Sequence, residues 1–167
     1  MTLKITTISE KIAYQNDTLA VFNQLTKNKK DVLLLESAEI DKKNALKSIL
    51  LTQCAIKITC YGNEVNFKST SENGKYLLAF VFDSLNNIAK TKYNKNRTEV
   101  NVVFNNIPQN LDEESRLLYS NPFESLRIFN NLITELDHPF AIFLGGVFSF
   151  DMISVTESFS EISKGEN

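Results

Sequence analysis

Between residues 54 and 68 the chain alternates apolar and polar side chains on both sides of a Gly62-Asn63 pair, a pattern that few backbone geometries satisfy. Cys54, Ile56, Ile58 and Cys60 alternate with Ala55, Lys57 and Thr59, and Val65 and Phe67 alternate with Asn66 and Lys68. A period of two marks a strand with one buried face. Gly62-Asn63 suits a two-residue turn. Pairing outward from it sets Cys60 opposite Val65, Thr59 opposite Asn66 and Ile58 opposite Phe67. One register therefore satisfies both strands, because a slip by one residue would turn every apolar side chain to the wrong face.

The flanking segments follow other periods. Leu3, Ile5 and Ile8 predict an opening strand, and Asn16 or Asp17 then caps a short helix carrying Leu19, Phe22 and Leu25. A strand over 31–37 contains the unbroken apolar run Val32-Leu33-Leu34-Leu35, which predicts burial on both faces. Residues 72–90 switch to helical spacing, with Leu78, Phe82, Leu85 and Ala89 on one stripe over the hairpin, and Leu77, Val81 and Ile88 beside it. The Lys- and Asn-rich stretch 91–98 reads as a solvated loop and 99–104 as a strand. Asn121-Pro122-Phe123-Glu124 combines a cap, a proline at the first helical position and a glutamate at the third, so a helix starts there with Leu126, Phe129, Ile133 and Leu136 buried. The run 140–150 reads as a strand in which Gly145-Gly146 marks a bulge or close backbone contact, and Phe148 and Phe150 read as core residues beside Phe123 and Phe129. The sum is an α+β (mixed α/β) domain over residues 1–153, with an antiparallel-rich sheet, covering helices and a frayed tail at 154–167.

Composition narrows function by exclusion. A chain of 167 residues with 43% hydrophobic content holds one real core, and a net charge of −2 with scattered Lys and Arg gives no footprint for nucleic acid or an anionic membrane. No apolar run approaches the roughly 18 to 20 residues that span a bilayer, and the N-terminus has no signal-peptide core, which predicts a cytoplasmic protein. Cys54 and Cys60 would lie ~20 Å apart along one strand, beyond disulfide reach. His138 is the single histidine and reads as a loop residue, so imidazole-based dyads and zinc sites have little to draw on. Phosphate loops, paired catalytic carboxylates and metal-ligand clusters do not occur at a working spacing, and the glycine pair lacks the helix start of a phosphate cradle.

Four blocks carry a resemblance. They are Leu33-Leu34-Leu35-Glu36-Ser37-Ala38-Glu39-Ile40-Asp41 followed by Leu46-Lys47-Ser48; the hairpin with its Glu72-Asn73-Gly74 exit; Leu111-Asp112-Glu113-Glu114-Ser115-Arg116-Leu117; and Phe143-Leu144-Gly145-Gly146-Val147-Phe148-Ser149-Phe150-Asp151. In order and spacing they resemble the N-terminal region of the anthranilate synthase component I family, and the resemblance covers nearly the whole chain. It implies the N-terminal portion of that family's two-sheet fold. The family converts chorismate and ammonia, or ammonia delivered from glutamine by a partner amidotransferase (component II), to anthranilate and pyruvate with magnesium, and is inhibited by tryptophan. The chorismate and magnesium residues belong to a long C-terminal region, so the resemblance implies no catalytic residue and no cofactor in this chain.

What it does imply is part of an L-tryptophan pocket at Glu36, Ser37 and Lys47. A zwitterionic amino acid needs acceptors around its ammonium, which Glu36 and the Ser37 hydroxyl supply, and Lys47 suits its carboxylate. By residue type alone, Ser37 equally suits a strand end or turn cap, and Lys47 a solvated helix position. Asp17 stands near a position where many relatives carry proline, a departure that would weaken or reshape the pocket. The expected partners are L-tryptophan, the catalytic C-terminal region and the amidotransferase subunit, with self-association through uncovered strand edges. Two alternatives stay open: the same region of a sister enzyme making aminodeoxychorismate, salicylate or isochorismate, and a free-standing amino-acid-binding module.

Overall fold

The computed structural model describes residues 5–27, 29–37, 47–108, 110–133 and 141–155. Its core is built around the hairpin. Strands β3 (Ile56–Tyr61) and β4 (Glu64–Ser69) pair antiparallel in the expected register, with Cys60 opposite Val65, Thr59 opposite Asn66 and Ile58 opposite Phe67. Gly62 takes φ +54°, the left-handed conformation in which a residue without Cβ carries no steric penalty. Cys54 lies just before β3 rather than within it, and both cysteines are free thiols.

Helix α1 (Thr18–Thr26) is capped by Asp17, whose side chain accepts from the Ala20 N–H at 2.8 Å, and ends at Lys27 in a left-handed cap. Strands β1 (Leu33–Glu36) and β2 (Ser48–Leu51) form a separate antiparallel pair. Helix α2 (Glu72–Leu85) is capped by Ser71 and leads to β5 (Lys90–Tyr93) and β6 (Glu99–Val103), completing a four-stranded antiparallel sheet in the order β3-β4-β6-β5. Two helices follow, α3 (Glu113–Leu118) and α4 (Glu124–Ile133), then a short 3-10 helix (Phe150–Val155).

Alternation and helical spacing meet in one core. Val65, Phe67, Val100 and Val102 from the sheet pack against Leu78, Val81 and Leu85 of α2 and Phe129 of α4, all buried. Each such side chain removed from water contributes about 1.5–3 kcal/mol. Gly74 lets α2 settle on the hairpin, because a Cβ there would overlap the Ala55 carbonyl oxygen.

Several expectations are corrected. Residues 5–15 form no strand, and Ile8 is 93% exposed, since alternation makes a strand only where a neighbour offers a ladder. The Leu-rich strand is not buried on both faces: Leu33 and Leu34 are half-buried and Leu35 is exposed, because β1 belongs to a two-stranded ribbon rather than a covered sheet. The helix predicted over 72–90 stops at Leu85, and the stretch taken for a loop contributes β5, anchored where the Tyr93 ring stacks on Phe82 at 4.7 Å. On α4 the inward stripe is Ser125, Ile128, Phe129 and Leu132, with Leu126 half-buried; the Ile133 side chain and Leu136 fall outside the described residues, as does His138. Residues 143–149 form no strand, and Phe148 and Phe150 are exposed rather than in the core. Most of the expected tail, residues 156–167, also lies outside the described residues.

Candidate functional site

The β1 and β2 ribbon opens at Glu36 and Ser48, which stand directly opposite one another in its last ladder pair. Just beyond, the Ser37 N–H donates to the Lys47 carbonyl at 3.0 Å. The Ser37 hydroxyl doubles this link, donating to the same carbonyl at 3.3 Å and accepting the Lys47 N–H at 3.1 Å. Glu36, Ser37 and Lys47 are thereby brought together at one ribbon end, although ten positions separate Ser37 from Lys47 in sequence.

Strand geometry sends successive side chains to opposite faces. Glu36 shares its face with Ser48, whose hydroxyl donates to Glu36 Oε1 at 3.2 Å and lies 3.5 Å from Thr18 Oγ1 at the start of α1. Ser37 continues the face of Leu33 and Leu35. On that face Gly145 of the glycine pair comes so close that a Cβ would lie 2.8 Å from Leu33 Cδ2. Gly145 therefore serves packing, as its sequence context implied; a Cβ at Gly146 would meet open space.

The ribbon end thus offers a carboxylate acceptor on the Ser48 face and, on the other, a hydroxyl already engaged by the Lys47 backbone but with a lone pair to spare, with a lysine ammonium donor on the same residue that this hydroxyl ties down. All three residues are exposed. In that setting a single charged contact contributes only about 0–1 kcal/mol, so the cluster would grip a zwitterion firmly only with a cover that excludes water. Ser48 and Thr18 were missed in the sequence because a serine and a threonine thirty positions apart carry no local signal. Among the described residues no group of three or more His, Cys, Asp and Glu side chains is gathered to hold a metal ion. No helix among them is long and apolar enough to cross a membrane.

No family model matches the chain. Curated relatives do. It is 37% identical over 150 residues to anthranilate synthase component 1 of Haemophilus influenzae, an alignment covering 90% of this chain and 29% of that protein. It is 35% identical over 161 residues to the protein of the same name from Vibrio cholerae, covering 96% of this chain and 30% of the relative. The Escherichia coli protein of that name is 34% identical over 156 residues, covering 93% and 30%. The chain thus spans less than a third of the length of the curated relatives it matches. Over nearly all of its own length, it belongs to the anthranilate synthase component 1 family.

Proposed function

We propose that this chain is the regulatory and structural N-terminal part of an anthranilate synthase component 1, and that the open end of the β1 and β2 ribbon supplies half of an L-tryptophan feedback site. The parent activity is the conversion of chorismate, with glutamine or ammonia, to anthranilate and pyruvate in tryptophan biosynthesis. The observation that carries the reading is the meeting of Glu36, Ser37 and Lys47 at one ribbon end in a chain that matches these enzymes along 90–96% of its length. Glu36 takes the ligand's ammonium, Lys47 its carboxylate, and Ser37 holds the ribbon end closed while offering its remaining lone pair.

The catalytic partner in this reading is the further region of component 1, which covers the site and brings the chorismate residues; the amidotransferase subunit supplies ammonia. In this reading magnesium belongs to that further region. Feedback requires two sites joined by a shared two-state element, so this chain alone contributes the effector half.

Titration with L-tryptophan tests the reading. Weak saturable binding to this chain, lowered by Ser37→Ala and by Glu36→Gln, is expected, together with no anthranilate formation from chorismate and ammonia. Chorismate-dependent anthranilate production by the pure chain would overturn the assignment of catalysis elsewhere. Binding untouched by either substitution would remove the site from the ribbon end.

A further inference from the structure

The Glu36 carboxylate is not held by a cation among the described residues; it is held by a hydroxyl. Ser48 has one proton to donate, and it donates it to Glu36 Oε1 at 3.2 Å. The approach of Thr18 Oγ1 to Ser48 Oγ, at 3.5 Å longer than an ordinary hydroxyl–hydroxyl hydrogen bond, then leaves Thr18 as the donor of the pair. The result is a directed relay, Thr18 to Ser48 to Glu36, from the first residue of α1 across the last ladder pair of the ribbon.

Three features make this more than a chance surface contact. Glu36 and Ser48 are a directly paired position in the ladder, so the bond follows from register rather than from a long side chain searching solution. The start of α1 is itself fixed, because Asp17 caps it through the Ala20 N–H. Finally, Oε1 is the bonded oxygen, and Oε2 has no partner among the described residues, which leaves it as the acceptor for an incoming donor.

We propose that Ser48 is a positioning residue for Glu36, steadied by Thr18, so that discrimination for the α-ammonium of an amino-acid ligand depends on the junction between α1 and the ribbon. This rests on the effector-site reading above and extends it to what sets the selectivity of that site. A ligand with the same indole and carboxylate but no ammonium does not draw on the relay.

The test compares L-tryptophan with indole-3-propionate, which lacks only the ammonium, by NMR-monitored titration of the full chain as wild type, Ser48→Ala, Ser48→Thr and Thr18→Val. The wild type should favour L-tryptophan. Ser48→Ala should lower that preference by about threefold, within what an exposed charged contact contributes, with indole-3-propionate unaffected. Ser48→Thr should keep the preference, and Thr18→Val should lower it by a smaller factor. An equal loss for both ligands in Ser48→Ala would reduce Ser48 to a structural part of the ribbon and overturn the proposal, as would an unchanged preference. A wild type that does not favour L-tryptophan overturns the effector-site reading itself, and the relay's role with it.

Discussion

Gly74 reverses the usual arithmetic of helix propensity. A glycine inside a helix normally costs about 0.5–1 kcal/mol relative to alanine, so replacement ought to stabilise α2. Here the added Cβ would overlap the Ala55 carbonyl oxygen, a backbone atom that also accepts the Thr70 N–H at 3.0 Å and has nowhere to retreat. Gly74→Ala should therefore destabilise the fold by about 1–3 kcal/mol, read as a lower midpoint in urea with an unchanged slope. Nothing in the local sequence announces this, because the clash partner belongs to the chain before β3. The site residues divide in the same way. Glu36, Ser37 and Lys47 were reached through family resemblance, since a serine after a leucine run also fits a strand end, and the structure does give Ser37 that bonding. Thr18 and Ser48 meet only through folding, and their residue types carry no signal of it.

At the scale of elements, legibility followed the strength of the period. The β3 and β4 register was readable because one turn and two alternating strands agree, whereas Lys90–Tyr93 hid as a loop. Its lysines are those of a short edge strand kept from pairing onward, and its inward Tyr93 donates to the Leu78 carbonyl at 3.3 Å, a partner that sequence does not identify. Burial, with the Asp83 carboxylate adding to it, pushes the Tyr93 hydroxyl above its ordinary range, while Arg97 pulls the other way. Helix α3 was hidden inside a motif block, yet its start is explicit in the structure. Asp112 accepts the Ser115 N–H at 2.9 Å and the Ser115 hydroxyl at 2.9 Å, and the Ser115 N–H bond leads the effects that hold its carboxyl below the usual carboxylate range. A carboxyl depressed in the folded state stabilises that state above its unfolded pKa, and the benefit is lost as pH falls through the folded value. The Ser115 amide resonance should therefore titrate below the normal aspartate range, with α3 fraying there before the core melts. An Asp112→Asn variant should lack that acid transition.

The whole molecule is unevenly finished. Around β4, β6 and α2 the side chains are sealed, with Phe67, Leu78 and Val100 fully buried. The β1 and β2 ribbon and the segment from Leu144 to Phe150 are not: Val147 is 92% and Phe150 87% exposed, and the ribbon has an unpaired edge on each side among the described residues. Apolar exposure of this kind is a contact surface in search of cover, and open edges offer backbone groups to any neighbouring strand. In the complete polypeptide proposed above, the further region of component 1 supplies that cover. For the chain alone, concentration is the only source. Sedimentation velocity should accordingly show a mass that rises with concentration, and Val147→Ser with Phe150→Ser should shift the distribution toward monomer. Because both side chains are largely in water already, the double substitution should leave the urea midpoint of the dilute chain nearly unchanged, whereas Phe67→Ala should lower the midpoint through a loss of about 3–5 kcal/mol of stability. If the wild type instead sediments as a monomer at every concentration, the exposed segment does not drive association. The half-covered ribbon would then be the resting form of an autonomous domain, and the binding measurements on the isolated chain would report its whole function.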